Sequence, residues 1–449
     1  MFRMNAPTSA APDAPPRPAT PRPVRSAATL IVLRDTPRGL EVLMLRRADK
    51  ANDQNSGASV FPGGVIDAND RGLHLHCKGL DDAAASARLA VPEGGLDYYA
   101  AAVRECFEEA GVLFAGDAQD QPVALEHFAP DRLDAMRHAA EQGTDALIGL
   151  CNAQGWHLAV DRLTYFSHWL TPPGMPRRFD TRFFVAQMPA GQSVRPDGRE
   201  TVEHMWLKPA EAVDPARGLK LMNVTRKLLQ QLAQFGSAAD CIAHARGLQR
   251  IPKVMPRLAN GPEGIRPVNM EDAPYDEISR VDPDGEGLGR YALEAGLVMR
   301  LSPRILRVTA DSGHSYFVGL PQGDCALIDP LPLDPAHIAA LQAAAPGRVR
   351  RLLSTQSLTE DGTDALDALR ATWSDASSAQ PAPGDAIDLG GATLQVLHSK
   401  NGVQFLQVED RTLLTGRDAA TVPPDADLIQ WIAPRQGFMQ AWPATIPPA

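Results

Sequence analysis

The chain is poor in cysteine. Its five cysteines in 449 residues (Cys77, Cys106, Cys151, Cys241, Cys325) are odd in number and scattered, without the paired spacing of a zinc site or a disulfide framework. It also lacks any uninterrupted apolar run near the roughly 18 residues that span a bilayer, and any charged n-region leading into an apolar h-region. These absences set aside a disulfide-stapled secreted scaffold and a membrane-spanning protein, and the expected location is the cytoplasm. An excess of basic charge is missing as well. A formal net charge of −10 argues against a nucleic-acid surface, while leaving room for a local basic groove that holds a phosphorylated small molecule. What is present is ordinary for a globular protein, with 22% charged and 44% hydrophobic residues. The length predicts two or three domains.

Residues 1–25 are rich in Pro and Ala and nearly devoid of apolar periodicity, which predicts a disordered tail. From Ser26 the pattern changes: "AATLIVLRD" and "LEVLMLRR", separated by "TPRG", read as a β-hairpin. Further strands are expected in "LTYFSHWLTP" and "DTRFFVAQMP", a strand feeding a helix in "VEHMWLKPAEA", and a helix in "NVTRKLLQQLAQFGS" ended by Gly236. The first domain spans 26–250 and a Pro/Gly/Asp-rich linker spans 251–289. Residues 290–449, with strand-like runs around the helical "PAHIAALQAAA", predict a second α/β domain.

The chemistry concentrates in "YAAAVRECFEEAGVLF", a helix that places Glu105, Glu108 and Glu109 on one face and Tyr99, Val103, Phe107 and Ala110 on the other. Like charges three and four residues apart repel, so something cationic must compensate. Arg104 pairs with Glu108 at i,i+4, but one guanidinium cannot neutralise three carboxylates. A hard divalent cation, Mg²⁺ or Mn²⁺, can. Gly111 stops the helix in the left-handed conformation. Upstream, "FPGG" combines a stiff Pro62 with two glycines that let a carbonyl turn inward as a further oxygen ligand.

These residues resemble the box of the Nudix hydrolases: Gly, five residues, Glu, seven residues, then Arg-Glu-U-X-Glu-Glu-X-Gly-U with U apolar. The second half matches from Arg104 to Val112. The first half matches at Gly64, with Asp70 in the Glu position. Between Asp70 and Arg104 lie 33 residues instead of seven, so an insertion of 26, at about residues 71–97, splits the box. That spacing resembles the long-insert, coenzyme A diphosphatase-like branch. The resemblance implies an α+β Nudix sandwich, Glu105, Glu108, Glu109 and the Gly63 carbonyl as metal ligands, Arg104 orienting the carboxylates, and Asp70 in the outer shell. It also implies metal-assisted attack of water on a pyrophosphate linkage. The general base would be a box Glu or a Glu from a distant loop, with Glu200 and Glu203 in "GRETVEHMW" as candidates beside their reading as strand-edge charges.

In the coenzyme A branch an Arg-bearing pattern precedes "FPGG". Here "LMLRRA", with Arg47, and Gly57 resemble its ends, while Asn52 and Asp53 stand where the intervening Arg is expected. Arg177, Arg178 and Arg182 are expected either to hold substrate phosphates or to form surface ion pairs. The inserted "HLHC" (His74, His76, Cys77) is a weak metal motif without a second ligand pair.

The segment from Ile305 to Leu341 resembles the opening of a metallo-β-lactamase-fold domain. Where that fold places His, His, Asp and His ligands, this chain has Gln356, Leu358, Glu360 and Asp361, and "HSKNG", with His398, replaces a Pro-Gly-His turn. A degenerate, metal-free and truncated domain is expected, serving pocket completion, dimerisation or partner binding. The expected activity is a metal-dependent pyrophosphohydrolase acting on a small nucleotide-linked diphosphate, with coenzyme A or a derivative among the substrates to test. No nucleic-acid or membrane partner is expected, and a homodimer is compatible with the sequence. The alternative is a nucleotide-sensing binding protein. A metallo-β-lactamase-type hydrolase is opposed by the missing histidines.

Overall fold

The computed structural model describes residues 23–49, 55–330, 334–418 and 428–442. Residues 1–22 of the expected tail, and Asn52 and Asp53, lie outside the described residues. The chain divides into two compact units, one of Arg22–Thr171 with Met175–Met255 and one built chiefly on Pro256–Ala449.

The first unit opens with β1 (Val24–Thr36) and β2 (Gly39–Arg47), the expected hairpin, turned at Pro37 and Arg38. The sheet is completed by β3 (Ser59–Val60), β4 (Gly63–Val65), β5 (Thr164–Leu170), β6 (Arg178–Gln187), β7 (Thr201–Leu207) and β8 (Lys253–Val254). Its order is β8-β5-β6-β1-β2-β3, with β4 paired to β1 and β7 to β2. β1 is long enough to hold three partners: β2 along its second half, β4 at Ala27–Thr29, and β6 in parallel along its other edge.

Both faces of this sheet are buried. Leu30, Val32, Leu43 and Leu45 join one core with Tyr99, Val103 and Phe107, while Ile31, Leu33, Val42 and Met44 join another with Leu228, Leu229 and Leu232. Alternate residues therefore both need apolar side chains, which is why these strands read as continuous apolar runs. The longer helices of this unit are α1 (Asp82–Leu89), α2 (Gly95–Ala110), α3 (Pro130–Ala140), α4 (Thr144–Gln154), α5 (Asn223–Leu232) and α6 (Ala238–Gly247), and a single turn, Pro209–Ala212, follows β7 as expected. α5 ends before Gly236, its last turn closed by the Ala233 amide on Leu229 and Gln231 carbonyls. The inserted residues form a 3₁₀ segment, Ala68–His76, followed by α1. α1 lies so close to the start of α2 that a Cβ at Gly95 would stand 2.2 Å from the Ser86 nitrogen.

In the second unit a five-stranded sheet (Val298–Arg300 to Arg348–Leu353) and a six-stranded sheet (Ala386–Asp388 to Gln440–Ala441) enclose one core that includes Tyr316, Ile328, Leu394 and Phe405. Helices Pro335–Ala344 and Glu360–Ala368 cover the other face of the five-stranded sheet through Leu341 and Leu366. The stretch read as a linker carries a hairpin, Arg257–Ala259 with Arg266–Val268, and a helix, Tyr275–Val281. That helix is pinned by a bidentate ion pair, Glu277 with Arg307 at 2.6 and 2.8 Å, both side chains fully buried. Among the described residues no helix is long and apolar enough to cross a membrane.

Candidate functional site

α2 begins at Gly95, four residues before the sequence reading opened it, because α1 packs against its first turn. It ends at Gly111, whose φ of +68° lets its amide reach the Phe107 carbonyl at 3.0 Å. Tyr99, Val103, Phe107 and Ala110 are buried, and the carboxylates follow on the remaining face. Glu109 departs from the simple two-face picture. It is itself only 6% exposed, and its Oε2 accepts the Gly63 amide at 2.9 Å.

Arg104 is the hub of the site. Its Nε and Nη2 donate to the two oxygens of Asp70 at 2.7 and 3.1 Å, and Nη2 also reaches the Val65 carbonyl at 3.2 Å. Its Nη1 donates to Glu105 Oε1 at 2.9 Å and to Glu108 Oε2 at 3.2 Å. Asp70 is fully buried and closes the capping box of the 3₁₀ segment by accepting the Asp67 amide. The two halves of the split motif, 33 residues apart, are thus joined by one bidentate contact. The glycines of "FPGG" are explained by the same crowding. A Cβ at Gly64 would stand 2.4 Å from the Glu105 carboxyl carbon, and one at Gly63 would stand 2.5 Å from the Ala28 carbonyl oxygen of β1.

The electrostatics are those of an acidic cluster short of positive charge. Burial raises the pKa of Glu105, against the pull of Arg104. Burial pushes Glu108 up to about 7, Arg104 again opposing and Glu105 adding repulsion. Glu109 is raised well above the carboxylate range by burial and then by Glu105, with the Gly63 amide and the charge of Arg47 acting the other way. Burial disfavours the Arg104 charge, but the Asp70 hydrogen bond and the Glu105 charge outweigh it and raise its pKa.

Among the described residues no three acidic, His or Cys side chains stand ready around one point. Glu105 and Glu108 are turned onto the Arg104 guanidinium, and Glu109 onto the Gly63 amide. The donor chemistry nevertheless suits a hard divalent cation: all the available groups are oxygens, and two of the carboxylates already share one positive point, Arg104 Nη1. Glu105, Glu108 and Glu109 are the residues able to hold it, with the Gly63 backbone beside Glu109.

The two candidate bases separate. Glu200 lies on the loop before β7, where its charge acts on both Glu105 and Glu109. Glu203 is opposite Arg46 in the β2–β7 ladder and lines an open cavity of about 410 Å³ with Arg46, Asp49, Ser59, Met205 and Lys220. The arginines separate as well. The charge of Arg47 reaches Glu109. Arg177 is exposed, and Arg178 Nε donates to the Thr171 carbonyl at 3.0 Å. Arg182 is buried, bonded to His168 and Asp180 and lying 5.3 Å from the centre of the Tyr98 ring. These contacts hold Arg178 and Arg182 within strand structure rather than beside the carboxylates. In the insertion, His74 Nε2 meets Asp97 Oδ1 at 2.7 Å, which ties the insertion to the first turn of α2.

In the second unit, Glu360 and Asp361 are exposed in the first turn of their helix. Gln356 bridges to Gly402, Leu358 packs against the outer core, and His398 is exposed. Near this stretch Asp329 is buried, accepting the Thr355 amide at 2.8 Å and the Thr355 hydroxyl at 2.7 Å.

Residues 78–221 match the protein family described as the NUDT19 Nudix domain, a span that holds Arg104–Gly111 and starts after Asp70. Human acyl-coenzyme A diphosphatase NUDT19 is 29% identical over 282 residues, covering 53% of this chain and 74% of that protein. The Xenopus laevis protein of the same name is 27% identical over 284 residues, covering 55% of this chain and 73% of its own. The crystal structure of a NUDIX hydrolase from Alicyclobacillus acidocaldarius superposes with a TM-score of 0.42 at 27% identity, covering 49% of this chain and 96% of that one.

Proposed function

We propose that this chain is a metal-dependent Nudix hydrolase that cleaves the phosphoric anhydride bond of a nucleotide conjugate, with acyl-coenzyme A as the substrate class. The observation that carries the reading is the α2 face, where Glu105, Glu108 and Glu109 crowd around one guanidinium and the Gly63 amide. The relatives' names support the substrate class. Mg²⁺ or Mn²⁺, when bound, supplies charge neutralisation of the diphosphate and an acidified water.

The protein's own share is geometric. Arg104 fixes Glu105 and Glu108 in rank, and Asp70 fixes Arg104. Glu200 acts as general base, since its charge is felt by the carboxylates while Glu203 faces a separate cavity. Arg47, whose charge acts on Glu109, is the arginine to meet the substrate at the site, and Arg177 is exposed enough to meet a phosphate. Residues 290–449 form a degenerate metallo-β-lactamase-like domain, a reading supported by the two-sheet sandwich with helices on the outer face of its five-stranded sheet and by Gln356 and Leu358 where metal ligands would stand.

The test is a panel of acyl-coenzyme A, ADP-ribose, dinucleotides and nucleoside triphosphates with Mg²⁺ or Mn²⁺, beside Glu108→Gln. Wild type should hydrolyse acyl-coenzyme A, and the variant should lose activity on the order of 10²-fold or more. Equal inertness of both on every substrate would sink the enzyme reading. Tight binding without turnover would favour a nucleotide sensor instead.

A further inference from the structure

The segment between β6 and β7, residues 188–200, forms neither helix nor strand, so its path depends on specific bonds. Two of these tie it to the end of α2. The Arg195 amide donates to the Ala110 carbonyl at 2.8 Å, and the Thr201 hydroxyl just beyond it donates to the Glu109 carbonyl at 2.8 Å. The turn that presents Glu200 is closed by Asp197, whose Oδ1 accepts the amides of Arg199, Glu200 and Thr201 at 2.8, 3.0 and 2.8 Å.

Side chains from α3 and its end reach this segment: His138 and Glu141 meet the exposed Arg199 side chain at 3.1 and 3.5 Å, and Arg137 reaches the main chain. Arg137 on α3 is buried, and its Nη1 donates to the Arg195 carbonyl at 2.8 Å and the Pro196 carbonyl at 3.2 Å. Two carboxylates are near it, Asp134 at 3.6 Å and Glu141 at 3.8 Å, both too far for hydrogen bonds. A buried guanidinium is costly unless its donors are satisfied, and here the short bonds go to main-chain carbonyls of the loop rather than to the adjacent acids. The guanidinium therefore acts on the path of the chain four and five residues before Glu200.

We propose that Arg137 is a positioning residue: it clamps the Arg195–Pro196 backbone against the end of α2 and so aims Glu200 at the carboxylate face. The catalytic consequence rests on the reading of Glu200 as general base given above, while the clamp itself does not.

Both are tested with Arg137→Met, Arg137→Lys, Glu200→Gln and the Met/Gln double variant. Hydrogen exchange at the Glu200 and Thr201 amides should quicken at least about tenfold in Arg137→Met while the mid-α2 amides keep their protection. On a hydrolysed diphosphate, Arg137→Met should lower kcat by about 10- to 100-fold with KM within about threefold. The double variant should be no slower than Glu200→Gln alone, and Lys, reaching one carbonyl, should restore part of the rate. Unchanged exchange in both Arg137 variants overturns the clamp, and rate losses that multiply in the double variant overturn its action through Glu200. If wild type is inert on every diphosphate, the enzyme reading falls and exchange alone decides the clamp. If Arg137→Met does not fold, the Lys variant carries both measurements.

Discussion

At the scale of single residues, the two glycines of "FPGG" make different demands although they are neighbours. A Cβ at Gly63 meets main chain on β1, the Ala28 oxygen at 2.5 Å and the Thr29 Cα at 2.6 Å, and main chain cannot step aside. Gly63→Ala should therefore cost roughly 2–3 kcal/mol of stability, read as an earlier midpoint in urea unfolding. The atoms nearest to a Cβ at Gly64 are the three at the end of the Glu105 side chain, which can rotate. Gly64→Ala should fold within about 1 kcal/mol of wild type yet lose on the order of 10²-fold in kcat, because Glu105 is displaced from its place beside Glu108. Equal stability losses at the two positions would contradict this division.

The sequence already carried the carboxylate set and its apolar counterface, because helical period alone assigns faces. It did not carry the burial of Glu109 or the clasp between Arg104 and Asp70. Both depend on where "VFPGGVID" returns in space, and no local pattern encodes that. Arg182 shows the same limit from the other side. Beside Arg177 and Arg178 it reads either as one of a phosphate-binding group or as a surface ion pair, but strand alternation turns it inward, where it pairs with Asp180 and His168 while buried. Asp-Gly at 197–198 is a turn-forming pair not singled out from the sequence, and Arg137 carries no pattern of its own, since a helix arginine looks alike whether it faces water or a loop carbonyl.

At the scale of elements, the strand Gly313–Gly319 sets a pH limit on the second unit. His314 is 3% exposed, and its Nε2 meets the Gly437 carbonyl at 2.9 Å. Burial, and then the nearby Arg307 charge, lower its pKa from 6.5 to about 4, with the Gly437 carbonyl opposing. The unfolded chain thus binds a proton that the folded chain refuses between these values. Stability contributed by the neutral ring is complete above about pH 6.5 and is lost as pH falls toward 4, by up to about 3 kcal/mol. His314→Gln should unfold more easily at pH 7.5 but show a flatter decline between pH 6.5 and 4.5, measured by urea titration at each pH. An unchanged slope would mean that other groups carry the acid sensitivity. The strands themselves were readable as apolar runs, whereas the helix Tyr275–Val281 lay hidden in a Pro- and Gly-rich stretch, because what holds it is the distant Arg307 rather than its own periodicity.

At the scale of the whole molecule, the two units should answer differently to a divalent cation. In the first, acidic groups crowd the α2 face and hold raised pKa values, so a cation that binds the folded state relieves repulsion there. In the second, the buried acids are already bonded one by one: Glu277 with Arg307, Asp282 with the amides of residues 286–289, and Asp329, whose pKa burial also raises, with the Thr355 amide and hydroxyl. A ligand that binds only the folded state stabilises by about 2.7 kcal/mol at one hundred times its dissociation constant, and the gain appears only in openings that break the site. Adding Mn²⁺ should therefore slow amide exchange across α2 and β4, about 10- to 100-fold at saturation, and leave Gly313–Gly319 unchanged. Glu108→Gln should remove most of the effect, and chelation should return wild type to its starting rates. Protection that rises equally in both units, or that survives in Glu108→Gln, would place the cation somewhere other than the α2 carboxylates, and the crowding of Glu105, Glu108 and Glu109 would then need Arg104 alone as its explanation.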